Sequence, residues 1–155
     1  MPLAEMSVER LRRVFDTNIL GAYICAREAA RRLPSSDSGN KTSSIVLLSS
    51  AAARLGSPNE YVDYAGSKGA SDTCTIGLSK ELGPKGVRVN AVRPGIIDTE
   101  IHASAGDPER LERIGNLTPL QRPGDAAEVA EAIVWLLSDA SSYVTGTHID
   151  VTGGR

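Results

Sequence analysis

Ile45-Val46-Leu47-Leu48-Ser49-Ser50, followed after a long gap by Val87-Arg88-Val89-Asn90-Ala91-Val92, decides the fold class of this chain. Apolar residues at successive positions from Ile45 to Leu48 describe a strand covered on both faces, as in a parallel sheet, rather than an alternating half-exposed strand. Parallel strands need a crossover between them. The segment from about Tyr61 to Leu82 is long enough to supply it as a helix, ended by Gly83, Pro84 and Gly86. A third strand, Thr147 to Val151, runs into Gly153-Gly154. Strands separated by helices imply an α/β chain with a parallel sheet and right-handed crossovers.

Upstream, Ser7 is placed to cap a helix. Val8, Leu11, Phe15, Ile19, Ala22, Ala26, Ala29 and Leu33 follow it at spacings of three or four, which predicts a long amphipathic helix ending at Pro34. Asn18 interrupts its apolar side, and an inward amide lowers helix propensity unless something needs it. Residues 35–43, rich in Ser with Asp37, Gly39 and Asn40, read as a polar surface loop. Beyond Pro94-Gly95, Ile96 to Gly106 mixes small, polar and charged residues and reads as a loop, with a short helix starting at Asp107-Pro108 and running through Arg113. Asp125 with Glu128 predicts a capping box for a helix ending near Leu137, with Val129, Ile133, Leu136 and Leu137 on its buried side. No repeat or second domain is evident, and residues 1–155 read as a single domain.

The Ile45 to Leu48 run also poses a problem. It belongs inside a sheet, yet the two later strands are its only partners and leave one edge unpaired. The chain therefore reads as the second half of a larger doubly wound domain.

Composition narrows the function. A chain of 155 residues, 41% hydrophobic, buries roughly two thirds of its surface on folding. The formal net charge is −2, and Arg12-Arg13 and Arg31-Arg32 are balanced by Glu9, Asp16 and Glu28, a pattern of solvated helix faces and not of a nucleic-acid surface. The longest apolar runs are too short to span a bilayer and no signal segment opens the chain, so a cytoplasmic protein is expected. Cys25 and Cys74 lack ligand spacing and read as buried thiols; His102 and His148 lack companions, so no metal site is expected.

Tyr64-Ala65-Gly66-Ser67-Lys68 carries the chemistry. By itself a tyrosine four residues before a lysine is weak, since about 0.1 such matches arise by chance at this composition, and an i, i+4 pair on a helix face explains it. Its setting is more specific. The strand ending in Ser49-Ser50, the helix bearing Tyr64 and Lys68, and the strand ending in Arg93-Pro94-Gly95 bring their polar groups to the carboxyl edge of a parallel sheet, where doubly wound folds hold ligands. Serines at a strand end and a Pro-Gly turn are also ordinary turn chemistry, and Ser49 is as available a hydroxyl as Ser50.

The motifs N18-x-x-G21, I45-V-L-L-S-S50, Y64-A-G-S-K68, V87-R-V-N-A-V-R-P-G95 with T99, and T145-G-T-H-I-D-V-T-G-G154 resemble those of the short-chain dehydrogenase/reductase family over nearly the whole chain. The loop from Asp98 to Arg110 resembles that of its sugar-dehydrogenase-like members. The resemblance implies a Rossmann-type doubly wound sheet and an NAD- or NADP-dependent oxidoreductase that interconverts a secondary alcohol and a carbonyl, on a small sugar or polyol. Tyr64 would be the acid/base, its pKa drawn down by Lys68, which would also bind the nicotinamide ribose. Ser50 would hold the substrate oxygen, and Asn18 a water that relays protons from Lys68. Pro94 and Gly95 would form the cofactor turn, the Ile97 backbone would receive the carboxamide and Thr99 a phosphate. Tyr61 would pack or line the entrance, and His102 in the following loop would be exposed.

One family feature has no counterpart. The chain holds no G-x-G-x-x-G or G-x-x-x-G-x-G run, so the N-terminal βαβ half that cradles the pyrophosphate is expected to lie outside it. The 155 residues alone are then expected to bind NAD(H) or NADP(H) weakly and to be inactive. A non-catalytic alternative is an oligomerisation module, because in the family the helices corresponding to Ser7 to Leu33 and Tyr61 to Leu82 pair between subunits as a dimer or tetramer. Ser38-Gly39-Asn40-Lys41 matches S-x-x-K of acyl hydrolases, but it sits in a polar loop without the companion motifs.

Overall fold

The computed structural model describes residues 1–33, 43–100 and 110–155. Ser7 caps the first helix, its hydroxyl accepting from the Arg10 backbone N–H at 3.2 Å. The chain then winds through α1 (Val8–Phe15), a π-helical turn over Asp16–Gly21 and α2 (Ala22–Arg32). The apolar spacing predicts a single regular helix; the structure widens it around Asn18, and such π segments collect at functional sites. It also buries less of the apolar stripe than the spacing implies. Ala26 is buried and Leu11, Ile19, Ala22, Ala29 and Leu33 are partly buried, whereas Val8 and Phe15 are 57% and 41% exposed.

The rest of the chain follows the alternation of strands and helices. Its elements are β1 (Ser43–Leu48), α3 (Ala52–Leu55), α4 (Val62–Leu82), β2 (Val87–Pro94), β3 (Ile97–Asp98), α5 (Arg110–Gly115), β4 (Gly124–Asp125), α6 (Ala126–Leu137) and β5 (His148–Val151). The starting region of α5, with Asp107, Pro108 and His102, and the Ser38 to Lys41 motif lie outside the described residues.

Three parallel strands form the sheet in the order β1-β2-β5. Ser43 stands opposite Val87 and Leu48 opposite Val92, while Ala91 faces His148 and Pro94 faces Val151. Central β2 is sealed on both faces, because its side chains alternate between two helical layers. Val87 and Val89 join Leu82 of α4 in one cluster, and Val92 joins Val129 and Leu136 of α6 in the other. Among the described residues β1 pairs only with β2, and Leu48 is 53% exposed. The unpaired edge expected from the sequence is present.

Two polar residues of β2 are buried, and both find backbone partners. Arg88 donates to the carbonyls of Leu136 at 2.8 Å and Ser138 at 3.0 Å, capping the C-terminus of α6, and to the Ser141 hydroxyl at 2.7 Å. Asn90, fully buried, donates to the Val144 carbonyl and accepts from the Thr147 N–H, which ties the turn before β5 to the centre of the sheet.

The capping box of α6 is formed, with the Asp125 N–H donating to Glu128 at 2.8 Å. Its buried side differs from expectation at one position. Val129 and Leu136 are buried, but Leu137 is 49% exposed, since consecutive helix residues diverge by about 100° and Leu136 takes the inward direction. A second difference follows Gly95: Ile97–Asp98, in a stretch expected to be loop, pairs in parallel with Gly124–Asp125. Two-residue strands leave no periodicity for a sequence to display.

Candidate active site

A cleft of about 890 Å³ opens at the carboxyl ends of β1 and β2. Ser50, Tyr64, Lys68, Pro94, Gly95, Ile97 and Thr99, separated in sequence, all line it. Asn18 does not. Tyr61 lines it as well, at the first turn of α4.

Tyr64 is half-buried on α4. Burial pushes its phenol above the ordinary tyrosine range, and a contact from the Ser50 hydroxyl partly offsets this by favouring the phenolate. The expected downward pull of Lys68 is not what dominates. The Lys68 ammonium lies 5.7 Å from the Tyr64 ring centroid and donates to the Leu48 carbonyl at 2.8 Å, and its own burial pulls its pKa below the usual lysine value. Desolvation disfavours both charged forms, and a cation committed to a backbone carbonyl has less field to spend on a neighbour.

Geometry separates the two serines that the sequence leaves equivalent. The Ser49 hydroxyl is buried and donates to the Lys68 carbonyl at 3.2 Å, stitching β1 to α4. Ser50 accepts from the Ala52 N–H at 3.1 Å, which fixes it as the first residue of the turn into α3 and leaves it beside Tyr64.

Asn18 reaches the site indirectly. From the π turn its amide donates to the Ser67 hydroxyl at 3.0 Å, and Ser67, fully buried, donates to the Tyr64 carbonyl at 2.7 Å. Reading the sequence misses a further clamp, because Arg10 and Asp63 are distant and each looks like a surface charge. Arg10 grips the fully buried Asp63 carboxylate through two bonds, 2.8 and 3.3 Å, one residue before Tyr64. Burial alone would raise the Asp63 pKa; the Arg10 guanidinium and the Tyr64 backbone N–H outweigh it and hold the carboxyl below its ordinary value. The only available signal was an acidic residue in the first turn of a helix.

Gly95 shapes the cleft floor by close approach. A Cβ there would sit 2.8 Å from the Thr152 Cα, and the Gly95 N–H donates to the Val151 carbonyl at 2.9 Å. Across the rest of the molecule, Cys25 is exposed and Cys74 half-exposed, so neither is the buried thiol expected. Among the described residues no cluster of His, Cys, Asp and Glu could hold a metal ion, and no helix is long and apolar enough to cross a membrane.

The arrangement can pass a proton between the Tyr64 phenol and an oxygen held by Ser50, next to a half-buried cation. Comparison with known proteins points the same way. The family model described as enoyl-(acyl carrier protein) reductase matches residues 1–155. An uncharacterised oxidoreductase of Escherichia coli, YgfF, is 55% identical over 150 residues, 97% of this chain and 60% of that protein. A short-chain dehydrogenase/reductase of Brucella melitensis described as a glucose/ribitol dehydrogenase superposes with a TM-score of 0.84 at 37% identity, over 99% of this chain and 59% of its own. A 3-ketoacyl-(acyl-carrier-protein) reductase from the same organism, solved with NADH, superposes at 0.90 with 25% identity, over 100% of this chain and 61% of its own. The chain thus spans about three fifths of the length of these relatives, and its Rossmann-type α/β fold, its motifs and its matches place it in the short-chain dehydrogenase/reductase family.

Proposed function

We propose that this chain carries the proton-transfer side of an NAD(P)-dependent oxidoreductase that interconverts a secondary alcohol and a carbonyl. The observation that carries the reading is that Ser50, the half-buried Tyr64 and Lys68, from the end of β1 and from α4, line one cleft at the carboxyl edge of the sheet. In the reductive direction Tyr64 donates its proton to the carbonyl oxygen, and Ser50 hydrogen-bonds that oxygen as charge develops on it. The bound nicotinamide supplies the hydride.

The residues present fit that cofactor's nicotinamide end. Gly95, packed against Thr152, leaves its side of the cleft open, the half-buried Lys68 ammonium and Tyr64 hydroxyl suit a ribose, and Ile97 and Thr99 line the same cleft. Lys68, its ammonium 5.7 Å from the Tyr64 ring centroid, is placed to bind the ribose beside the reacting oxygen. Asn18, through Ser67, steadies the Tyr64 backbone. No Gly-rich phosphate turn is found in the 155 residues, so NADH and NADPH bind this chain weakly. A small sugar or polyol is the substrate class, a reading supported by the glucose/ribitol dehydrogenase among the similar structures.

The test is turnover of small ketoses and polyols with NADH and NADPH at millimolar concentration, followed by nicotinamide absorbance. Tyr64→Phe lowers kcat by about 10²-fold or more, whereas Tyr61→Phe retains most of it. Equal rates for Tyr64→Phe and the parent would sink the assignment. A second reading, an oligomerisation module without turnover, is favoured by the exposed apolar side chains of Phe15, Leu20, Tyr23, Ile24 and Ile76 on α1, α2, the π turn and α4. A concentration-dependent dimer in sedimentation, with no NADH or NADPH bound even at millimolar concentration, would select it.

A further inference from the structure

Behind the cleft, five charged or titratable side chains form one connected network. Arg93, on β2, donates through Nε and Nη2 to Asp72 Oδ2 at 3.1 and 2.8 Å, and its Nη1 lies 3.7 Å from Asp150 Oδ1. Asp150 stands opposite Arg93 in the β2-β5 register and also pairs with Arg54 of α3. His148, two residues before Asp150 and so on the same face of β5, lies 3.1 Å from the Asp72 carbonyl and 3.7 Å from Asp72 Oδ1. Arg93, Asp72 and His148 are 16%, 14% and 12% exposed, so the centre of the network is shielded from water and from salt.

None of the five lines the cleft, yet α3, α4 and β2, three of the elements they join, each carry part of it. Asp72 is one helical turn beyond Lys68, Arg93 directly precedes Pro94, and Arg54 belongs to the helix that Ser50 introduces. We propose that Asp72 and Arg93 are positioning residues: their ion pair sets where α4 stands against the end of β2 and so holds the Tyr64 phenol against Ser50. The proposal deepens the reading of Tyr64 as the acid/base and rests on it.

Two features argue that this is more than adhesion. Arg93 uses both of its bonds to Asp72 on one carboxylate oxygen while its third nitrogen faces Asp150, a forked geometry that a lysine cannot reproduce. The other carboxylate oxygen, Asp72 Oδ1, is buried and without a hydrogen bond, with the His148 ring nearby. A structure that gained only stability here would leave less of the carboxylate unmet.

The experiment follows Tyr64 itself and needs no turnover. Tyrosine ionisation is titrated by absorbance in each variant and in the same variant carrying Tyr64→Phe, so the difference isolates Tyr64. Asp72→Asn, an isosteric change, and Arg93→Met each raise the Tyr64 midpoint by about half to one pH unit through loss of the Ser50 contact, and the double variant raises it no further. Arg88→Met, which removes a buried arginine of the same strand that caps α6 on the other face, lowers the melting temperature without moving that midpoint. If alkaline unfolding intervenes, the ring-carbon NMR shift of labelled Tyr64 at neutral pH reads the same contact, and if Arg93→Met does not fold, Asp72→Asn carries the test. An unmoved Tyr64 in Asp72→Asn, or an equal displacement in Arg88→Met, overturns the proposal. Displacement of Tyr64 combined with undiminished turnover in Tyr64→Phe would instead leave the positioning standing and remove the catalytic reading.

Discussion

Asn18 and Tyr64 are joined through one buried hydroxyl: the Asn18 amide donates to Ser67 Oγ at 3.0 Å, and Ser67 donates to the Tyr64 carbonyl at 2.7 Å. Asn18 sits within the π turn over Asp16–Gly21, which packs against α4. Ser67→Ala removes both bonds and leaves the Asn18 amide without its partner. The expected loss is about 1–3 kcal/mol, a fall in melting temperature of roughly 2–4 °C per kcal/mol for a chain of this size, measured by calorimetry.

Arg10 and Asp63 predict the acid limb of stability. The Asp63 pKa is held down in the folded chain, so its contribution is fully present above the ordinary value of 3.8 and is lost as pH falls through the lower folded value. Asp63→Asn should flatten that loss in acid unfolding curves. At neutral pH, Arg10→Met strands a buried carboxylate and costs about 2–4 kcal/mol, less than a wholly buried pair because Arg10 is 26% exposed.

Lys68 should behave in the opposite sense. Burial lowers its pKa, so the charged form is a cost to the fold at neutral pH, and stability from this group rises as pH climbs from the folded value toward 10.5. Lys68→Met is therefore expected to change stability by no more than about 1 kcal/mol, in either direction, while it abolishes turnover. Paired melting and rate measurements on the same preparation check both halves.

Two glycines separate close approach from helix flexibility. Gly95→Ala drives a methyl into the Thr152 backbone, 2.8 Å away, and should cost about 1–3 kcal/mol while narrowing the cleft. Gly66, inside α4 with open space where its Cβ would be, should gain about 0.5–1 kcal/mol as alanine. Denaturant midpoints with unchanged slopes would confirm both signs.

The exposed apolar side chains of α1, α2 and the π turn predict self-association. Ile24→Glu together with Phe15→Glu should shift sedimentation toward monomer without lowering the melting temperature of dilute samples, since both residues are already 41–47% exposed. Unchanged sedimentation would rule these helices out as the contact.

Much of the framework was legible because its signals are local and repeated. The run Ile45 to Leu48 and the β2 segment define parallel strands through burial on both faces, Ser7 and Asp125 carry their own caps, and Tyr64 with Lys68 occupies one helix face by period alone. The incomplete sheet was legible too, since an apolar strand without enough partners is a matter of counting. Less visible were features that depend on which way a helix turns or on which distant residue it meets. Leu137, Val8 and Phe15 are apolar by pattern yet exposed, because a stripe does not say what covers it.

What the sequence by itself determined is therefore the class of fold, the order of its elements and the set of hydroxyl, phenol and ammonium groups delivered to one sheet edge. Tertiary structure alone decided which serine faces Tyr64, that Lys68 is spent on the Leu48 carbonyl, and that Asn18, Arg10, Asp72 and Arg93 converge on the same helix. The physical reason is range. Periodicity and capping act over a turn or two of chain, whereas desolvation and ion pairing depend on neighbours twenty to fifty residues away, whose distance is set only when the layers close.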